Sequence, residues 1–204
     1  MLSAPISVYS FITTQLTRQR EYDVSFHREC LDPWASFRRI IDYLHAHGLF
    51  DVNEYYLTHM DFEPRNIFVN TISPTTAQLS GILGWDEALF APAFLNCRPP
   101  SWLWDFGSDD GEELDESVAH KTPANKDLVA IKTVFEDAVG EKYLKYAYEP
   151  EYRFARDITR LAITGIGSNE DYVFCERLFK EWNEMYPENS VRGLQREEDA
   201  RFSK

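Results

Sequence analysis

Cysteine is scarce and unpaired in this sequence: Cys30, Cys97 and Cys175 lie far apart among 204 residues. No Cys-x-x-Cys pair suggests a zinc site, and three scattered thiols imply no disulfide framework. They read as small buried or half-buried thiols in a reducing compartment. Basic residues are in deficit, 21 against 34 acidic, for a formal charge of −13. That disfavours a nucleic-acid groove or an anionic membrane surface as partner, since either needs a basic face. No stretch approaches the roughly 18 consecutive apolar residues of a spanning helix. The opening Met-Leu-Ser-Ala-Pro-Ile-Ser lacks the basic-then-apolar order of a secretory signal. The expectation is a soluble, cytoplasmic protein with neither nucleic acid nor membrane as partner. Glycine is thin as well: there are nine, the first at Gly48, and the first lysine is Lys121. No Gly-x-x-x-x-Gly-Lys-Ser/Thr phosphate loop occurs, and there are no internal repeats.

What the chain does have is apolar bulk. Hydrophobic residues make up 44% and aromatics 15%, enough to build a substantial core in one domain. Apolar side chains at Ile6, Val8, Tyr9, Phe11, Ile12 and Leu16 predict a helix over 6–19, followed by a polar connector over 18–29. Asp32-Pro33 supplies a helix cap with proline at the first helical position. Trp34, Phe37, Ile40, Ile41 and Leu44 follow at helical spacing, and Gly48 closes that helix. His45 and His47 stand in its last turn, where imidazolium suits the helix dipole; a spacing of two does not share a face, so they are not a metal pair. Leu128, Ile131, Val134, Phe135, Ala138 and Val139 predict a helix over 125–147 with a core-facing stripe. Phe154, Ile158 and Leu161 mark another, ending near Gly165. Ser168 with Asp171 three residues on resembles a capping box, opening a helix through Tyr172, Cys175, Leu178, Phe179, Trp182 and Met185 to Pro187. Residues 188–204 are charged and read as a flexible tail.

The stretch 55–70, Tyr-Tyr-Leu-Thr-His-Met-Asp-Phe-Glu-Pro-Arg-Asn-Ile-Phe-Val-Asn, reads as an apolar approach, a polar loop and a short strand over 67–69. After a turn-rich 71–78, Leu-Ser-Gly-Ile-Leu-Gly-Trp reads as a second short strand, and the two suggest a hairpin with a connector of several residues. His59, Asp61 and Asn66 stand at the spacing that phosphoryl transfer of the protein-kinase type requires, where an aspartate meets the substrate hydroxyl and an asparagine reaches a metal ion. A polar turn between strands also favours Asp, Asn and Pro for conformational reasons alone.

Leu-Thr-His-Met-Asp-Phe-Glu-Pro-Arg-Asn-Ile-Phe-Val, then Gly-Ile-Leu-Gly-Trp-Asp-Glu-Ala, then Pro-Ala-Phe and the Pro-Pro-x-Trp-Leu-Trp stretch ending at Trp104, together resemble the aminoglycoside phosphotransferase family. The likeness is to its fungal branch. The family is related to choline kinase and shares the protein-kinase-like fold. The resemblance implies an α+β, mostly α architecture over 1–187: the C-terminal lobe of that fold, a helical bundle with a short β-hairpin carrying the catalytic loop. It implies Asp61 as the catalytic residue that accepts or orients the attacking hydroxyl, Asn66 as a magnesium ligand, and His59 as a brace of the loop. Met60 and Phe62 stand where the family often has glycine and leucine. Arg65 is open between a phosphate contact and a solvent-facing position. Mg-ATP and a small-molecule hydroxyl substrate are the cofactor and partner implied.

Two departures follow from the same comparison. The strand after the loop should end Ile-Asp-Trp, with the aspartate on the metal, but Gly84 stands there and offers no side-chain oxygen. Asp86 is the nearest substitute; two residues along a strand its Cα is roughly 6–7 Å away, so the loop must distort to bring it in. The second departure is upstream: no glycine-rich turn and no strand lysine precede His59, as a kinase-type nucleotide lobe would supply. Asp105-Phe106-Gly107 spells the metal tripeptide of protein kinases, yet it lies beyond the Trp-Leu-Trp stretch and reads as coincidence. The acidic run over 109–116 reads as a solvated loop, with attraction of a cationic substrate as its alternative. Losing one preorganised charged group typically costs about 10²–10³ in rate. The expectation is therefore a relative of ATP-dependent small-molecule kinases with little or no activity as this chain. The competing readings are a non-catalytic binding or scaffold lobe, and a truncated gene model. Restoring aspartate at position 84, with both lobes present, is expected to restore metal-dependent activity.

Overall fold

A computed structural model of the chain describes residues 6–25, 32–51, 54–104 and 119–194. Cys30, the tripeptide beginning at Asp105 and the acidic run over 109–116 lie outside the described residues. The fold is α+β and mostly helical, with two small antiparallel sheets. Among the described residues, no helix is long and apolar enough to cross a membrane. The chain forms two compact units, residues 1–53 with 154–204 and residues 54–153.

The first unit is helical. Helix α1 (Val8–Ser25) buries Val8, Ile12 and Leu16, one side chain per turn. It runs through 18–25, the described part of the stretch expected to be a connector. Nothing before Ser25 breaks it, and Asp23 accepts from Trp34 Nε1 at 2.7 Å, so the polar turns are tied down by side chains that periodicity does not count. Helix α2 (Pro33–Ala46) starts as expected, with the Asp32 side chain accepting from the Ala35 amide at 3.3 Å. Trp34, Phe37, Ile40, Ile41 and Leu44 are all buried. Its end is a Schellman motif: Leu49 N–H donates to Leu44 O and Gly48 N–H to His45 O, with Gly48 at φ 80°. His47 Nδ1 lies 2.8 Å from Tyr43 O at the carbonyl end of the helix, while His45 stacks on Tyr9 at 4.0 Å.

Helix α4 (Pro150–Thr164) enters this unit at Phe154, and Gly165 follows it at φ 86°. Helix α5 (Asn169–Met185) opens on the expected capping box, Ser168 and Asp171 each accepting from the other's backbone. Such a cap stabilises by about 0.5–2 kcal/mol. Trp182 is fully buried, edge-on to Phe154 at 5.2 Å, and donates from Nε1 to Asn189 O at 3.0 Å. That bond begins the docking of 189–192. Asn183 exchanges two hydrogen bonds with the Val191 backbone, Ser36 Oγ donates to Arg192 O, and Val191 is buried. The first part of the stretch expected to be a flexible tail is therefore held, by side chains lying up to 156 positions away in sequence.

The second unit carries the strands. β2 (Ile67–Ser73) and β3 (Thr76–Ile82) form an antiparallel hairpin in register Ile67 to Ile82 and Ser73 to Thr76. The first strand is longer than expected and the second starts three residues earlier, so the connector is only Pro74-Thr75; Thr71 pairs with Ala77 rather than turning, and the register shifts between Thr71 and Ser73. Strand β1 (Tyr55–Thr58), read in the sequence as an apolar approach, pairs with β4 (Leu89–Pro92), from Tyr55 opposite Pro92 to Thr58 opposite Leu89. Helix α3 (Lys126–Tyr148) sits where expected, capped by Asn125, but its stripe does not face the core: Ile131 is 41% and Val134 69% exposed. Gly140, at φ 78° and ψ 167°, breaks the helix internally. The buried positions are Lys132, Tyr146 and Ala147 instead, and Lys132 is held by the Ala119 and Lys121 carbonyls, which an apolar 3.6-residue pattern does not count.

Burial pushes the Cys175 thiol up to about 12. The thiolate is the nucleophile, so Cys175 is expected to resist iodoacetamide at pH 8 in the folded chain and to react on unfolding, as peptide mapping will show. The unfolded thiol ionises first, so between about pH 9 and 12 the folded state binds more protons and stability falls as pH rises. Cys175→Ala is expected to flatten that part of the alkaline stability profile.

Candidate functional site

The loop between β1 and β2 is assembled by local hydrogen bonds. Thr58, buried at the end of β1, accepts from Asn96 Nδ2 at 2.8 Å and donates to Tyr56 O at 3.1 Å. Met60, a departure from the resembled pattern, is buried and anchors the loop apolarly. Glu63 N–H donates to Asp61 O, and Asn66 N–H donates to Glu63 O across a 3-10 turn over Pro64–Asn66. Proline at its first position gives up only an amide that the turn leaves unused.

His59 ties this loop to the end of β3. Asp61 N–H donates to Nδ1 at 3.2 Å, so Nδ1 carries no proton and Nε2 does. Nε2–H then donates to Leu83 O at 2.6 Å. Leu83 N–H in turn donates to Asn66 O at 2.9 Å. The imidazole packs edge-on to Trp85 at 4.7 Å and to Phe62 at 5.8 Å. Trp85 is fixed by its Nε1–H donating to Ile82 O at 2.9 Å. The bracing role expected of His59 is made of these contacts.

Asp61 and Asn66 are brought together. Asn66 Nδ2 lies 2.8 Å from both the Asp61 main-chain oxygen and Asp61 Oδ2. Two acceptors on one atom require the NH₂ group there, which fixes the amide orientation. The other carboxylate oxygen, Oδ1, accepts from Arg65 Nη2. Arg65, open in the sequence between phosphate and solvent, is thus the ion-pair partner of Asp61.

Position 84 also arrives here. Gly84 is left-handed, at φ 79° and ψ 33°, and a Cβ built on it would lie 3.0 Å from Asn66 Nδ2 and 3.2 Å from Asn66 Oδ1. Position 84 thus lies against the Asn66 side chain, and its backbone and space suit glycine. The expected restoration of aspartate at 84 is therefore not a simple exchange, since Asn66 must move to admit any side chain. Asp86 does not stand two residues along a strand: β3 ends at Ile82, and Asp86 lies exposed in a 3-10 turn over Trp85–Glu87.

These residues do not fit a magnesium ion. Magnesium demands near-octahedral oxygen ligands, whereas Asp61 gives both oxygens to cationic or amide donors, Asn66 turns its NH₂ to the carboxylate, and Gly84 has no oxygen to add. Among the described residues, no group of three or more His, Cys, Asp or Glu side chains is placed to hold a metal.

An outer layer escaped the sequence reading. Arg98 donates to Glu63 Oε1 at 2.9 Å, both side chains less than a quarter exposed, and Tyr143 on α3 donates to Arg98 O at 2.9 Å. Lys142 pairs with Glu54 at 2.5 Å, just before β1. No local spacing links 63 to 98 or 54 to 142, so only the fold reveals them. Lys132 is also buried, donating to Ala119 O and Lys121 O over the Trp104 and Tyr148 rings; desolvation lowers its pKa against the opposing pull of Glu136. A groove of about 440 Å³ lined by Arg18, Gln19, Tyr22, Gly165 and neighbours belongs to the first unit and shares no residue with the loop.

No family model, no curated protein and no solved structure matches the chain.

Gly84→Ala is expected to cost about 1–2 kcal/mol from the left-handed backbone, plus whatever displaces Asn66. Gly81→Ala, in a strand with nothing within 4 Å of the new Cβ, serves as the control and is expected to be near neutral. Urea midpoints compare the two; equal midpoints would mean that the turn at 84 is not built as described.

Proposed function

We propose that this chain is an aminoglycoside-phosphotransferase-like protein whose 59–66 loop receives a hydroxyl of a small molecule, with binding rather than phosphoryl transfer as its output. The observation that carries the reading is the convergence of Asp61, Asn66 and Gly84: the Asn66 amide on the Asp61 carboxylate, and position 84 against the Asn66 side chain. The hairpin register, Ile67 opposite Ile82, sets 66 beside 84, and the Asn66 amide draws in the Asp61 carboxylate.

The chemistry follows from the carboxylate. An ionised Asp offers about four lone-pair sites; Arg65 takes one on Oδ1 and Asn66 one on Oδ2. The remaining capacity, on a side chain 42% exposed, suits an incoming O–H donor that Asp61 would orient. The formal charge of −13 favours a cationic molecule, whose approach it steers at low salt. Transfer needs charge stabilisation on the moving phosphoryl group, and Gly84 supplies no carboxylate to hold a metal for it. A second reading, a non-catalytic scaffold, draws on the hairpin, where Phe68, Val69, Ile72 and Leu79 are exposed.

Calorimetry of the full chain with kanamycin and with choline is expected to show binding of one of them. Asp61→Asn is expected to weaken it by about tenfold or more, as loss of a hydrogen bond to a charged group does. Phosphorylation with Mg-ATP is expected to stay at background. Brisk Asp61-dependent phosphorylation would contradict the non-catalytic part. Binding indifferent to Asp61→Asn would contradict the loop assignment, and no binding together with self-association would favour the scaffold.

A further inference from the structure

We propose that the Arg65 guanidinium is the built-in counter-ion of Asp61, occupying the electrostatic place of a divalent cation and making the 59–66 loop metal-independent. The inference rests on reading this loop as the ligand loop, but its test uses no ligand.

Where such an aspartate and asparagine serve phosphoryl transfer, a divalent cation supplies the positive charge beside them. Here the charge comes from the loop itself, four residues on. Arg65 Nη2 meets Oδ1 while Asn66 Nδ2 meets Oδ2, so each oxygen already faces an N–H donor and a cation chelated by both oxygens would have to compete with these two donors. Asn66 would have to rotate its NH₂ off two acceptors before its oxygen could turn to an ion. Gly84, with its left-handed φ and a Cβ position 3.0 Å from Asn66 Nδ2, leaves no room for a second carboxylate. Asp86 is exposed in the adjoining turn, and no acidic or histidine trio stands among the described residues. The anchoring of the loop is independent of Arg65, because His59, Met60 and the Glu63–Arg98 pair hold it. Arg65 itself is 68% exposed, so it sets charge rather than shape. An arginine suits this task better than a lysine for geometric reasons, since its planar fork can hold one oxygen without losing its other donors.

The test is a manganese titration of the full ¹⁵N-labelled chain, read as paramagnetic broadening of the amides from Asp61 to Asn66. In the wild type these amides are expected to broaden no more than those beside isolated exposed carboxylates such as Glu170. Arg65→Gln is expected to make the loop amides broaden selectively, at about three- to tenfold lower manganese, in keeping with the small energies of exposed ion pairs. Asp61→Asn added to Arg65→Gln should abolish that gain. Arg38→Gln, which opens the comparable exposed pair with Asp42, controls for loss of a positive charge and should leave the loop unchanged. Arg65→Lys keeps the charge and is expected to behave as wild type. Selective, saturable broadening of the wild-type loop below 1 mM would overturn the proposal, as would an Arg65→Gln loop no more responsive than wild type. Failure of kanamycin and choline to bind would sink the ligand reading and leave these outcomes readable.

Discussion

The organisation of the second unit's loop depends on one imidazole with two different jobs. His59 accepts the Asp61 amide at Nδ1 and donates from Nε2 to Leu83 O. Leu83 then donates back to Asn66 O. Three segments that are distant in sequence, the end of β1, the 3-10 turn before β2 and the end of β3, are closed into one ring of hydrogen bonds. Each bond contributes about 0.5–1.5 kcal/mol, but leaving a half-buried partner unpaired costs about 1–3 kcal/mol. The ring therefore resists opening more than its separate bonds suggest. Gly84 is the geometric consequence: the chain must leave Leu83 sharply to place Trp85 against the imidazole, and a left-handed residue does that without a Cβ to strike Asn66.

Magnitudes separate shape from charge at this site. The Asp61–Arg65 pair is solvent-facing and screened, so it contributes little to stability. The Glu63–Arg98 pair is less than a quarter exposed on either side and is backed by Tyr143 through the Arg98 carbonyl, so it holds more of the loop's position.

Local chemistry carried much of the fold. The Asp32-Pro33 start, the Gly48 stop, the Ser168–Asp171 box and the buried stripes of α2 and α5 were all legible, because capping and the 3.6-residue period are encoded within a few positions. The hairpin was legible in kind and not in its bounds, since Thr71 and Ala77 look like turn formers until they pair with each other. β1 and β4 escaped because Tyr55–Thr58 finds its partner more than thirty residues away and on the far side of another hairpin. The face of α3 was misjudged because Lys132, and not an apolar stripe residue, takes the buried position there, bonded to the Ala119 and Lys121 carbonyls. At the site, spacing brought forward His59, Asp61 and Asn66, and the family resemblance pointed to Gly84; the fold gathers all four. It could not orient the Asn66 amide, pair Arg65 with Asp61, or find Arg98, because those depend on which atoms face one another across segments.

The ring closed by His59 is the claim on which the loop stands, and the tautomer of that imidazole reports on it directly. Long-range ¹H–¹⁵N correlation at pH 8, where an ordinary imidazole is neutral, distinguishes a protonated Nε2 from a protonated Nδ1. The account predicts the Nε2–H tautomer, with Nδ1 shifted as an acceptor from the Asp61 amide. A protonated Nδ1 would contradict it, because neither the bond from Asp61 nor the bond to Leu83 could then exist as described.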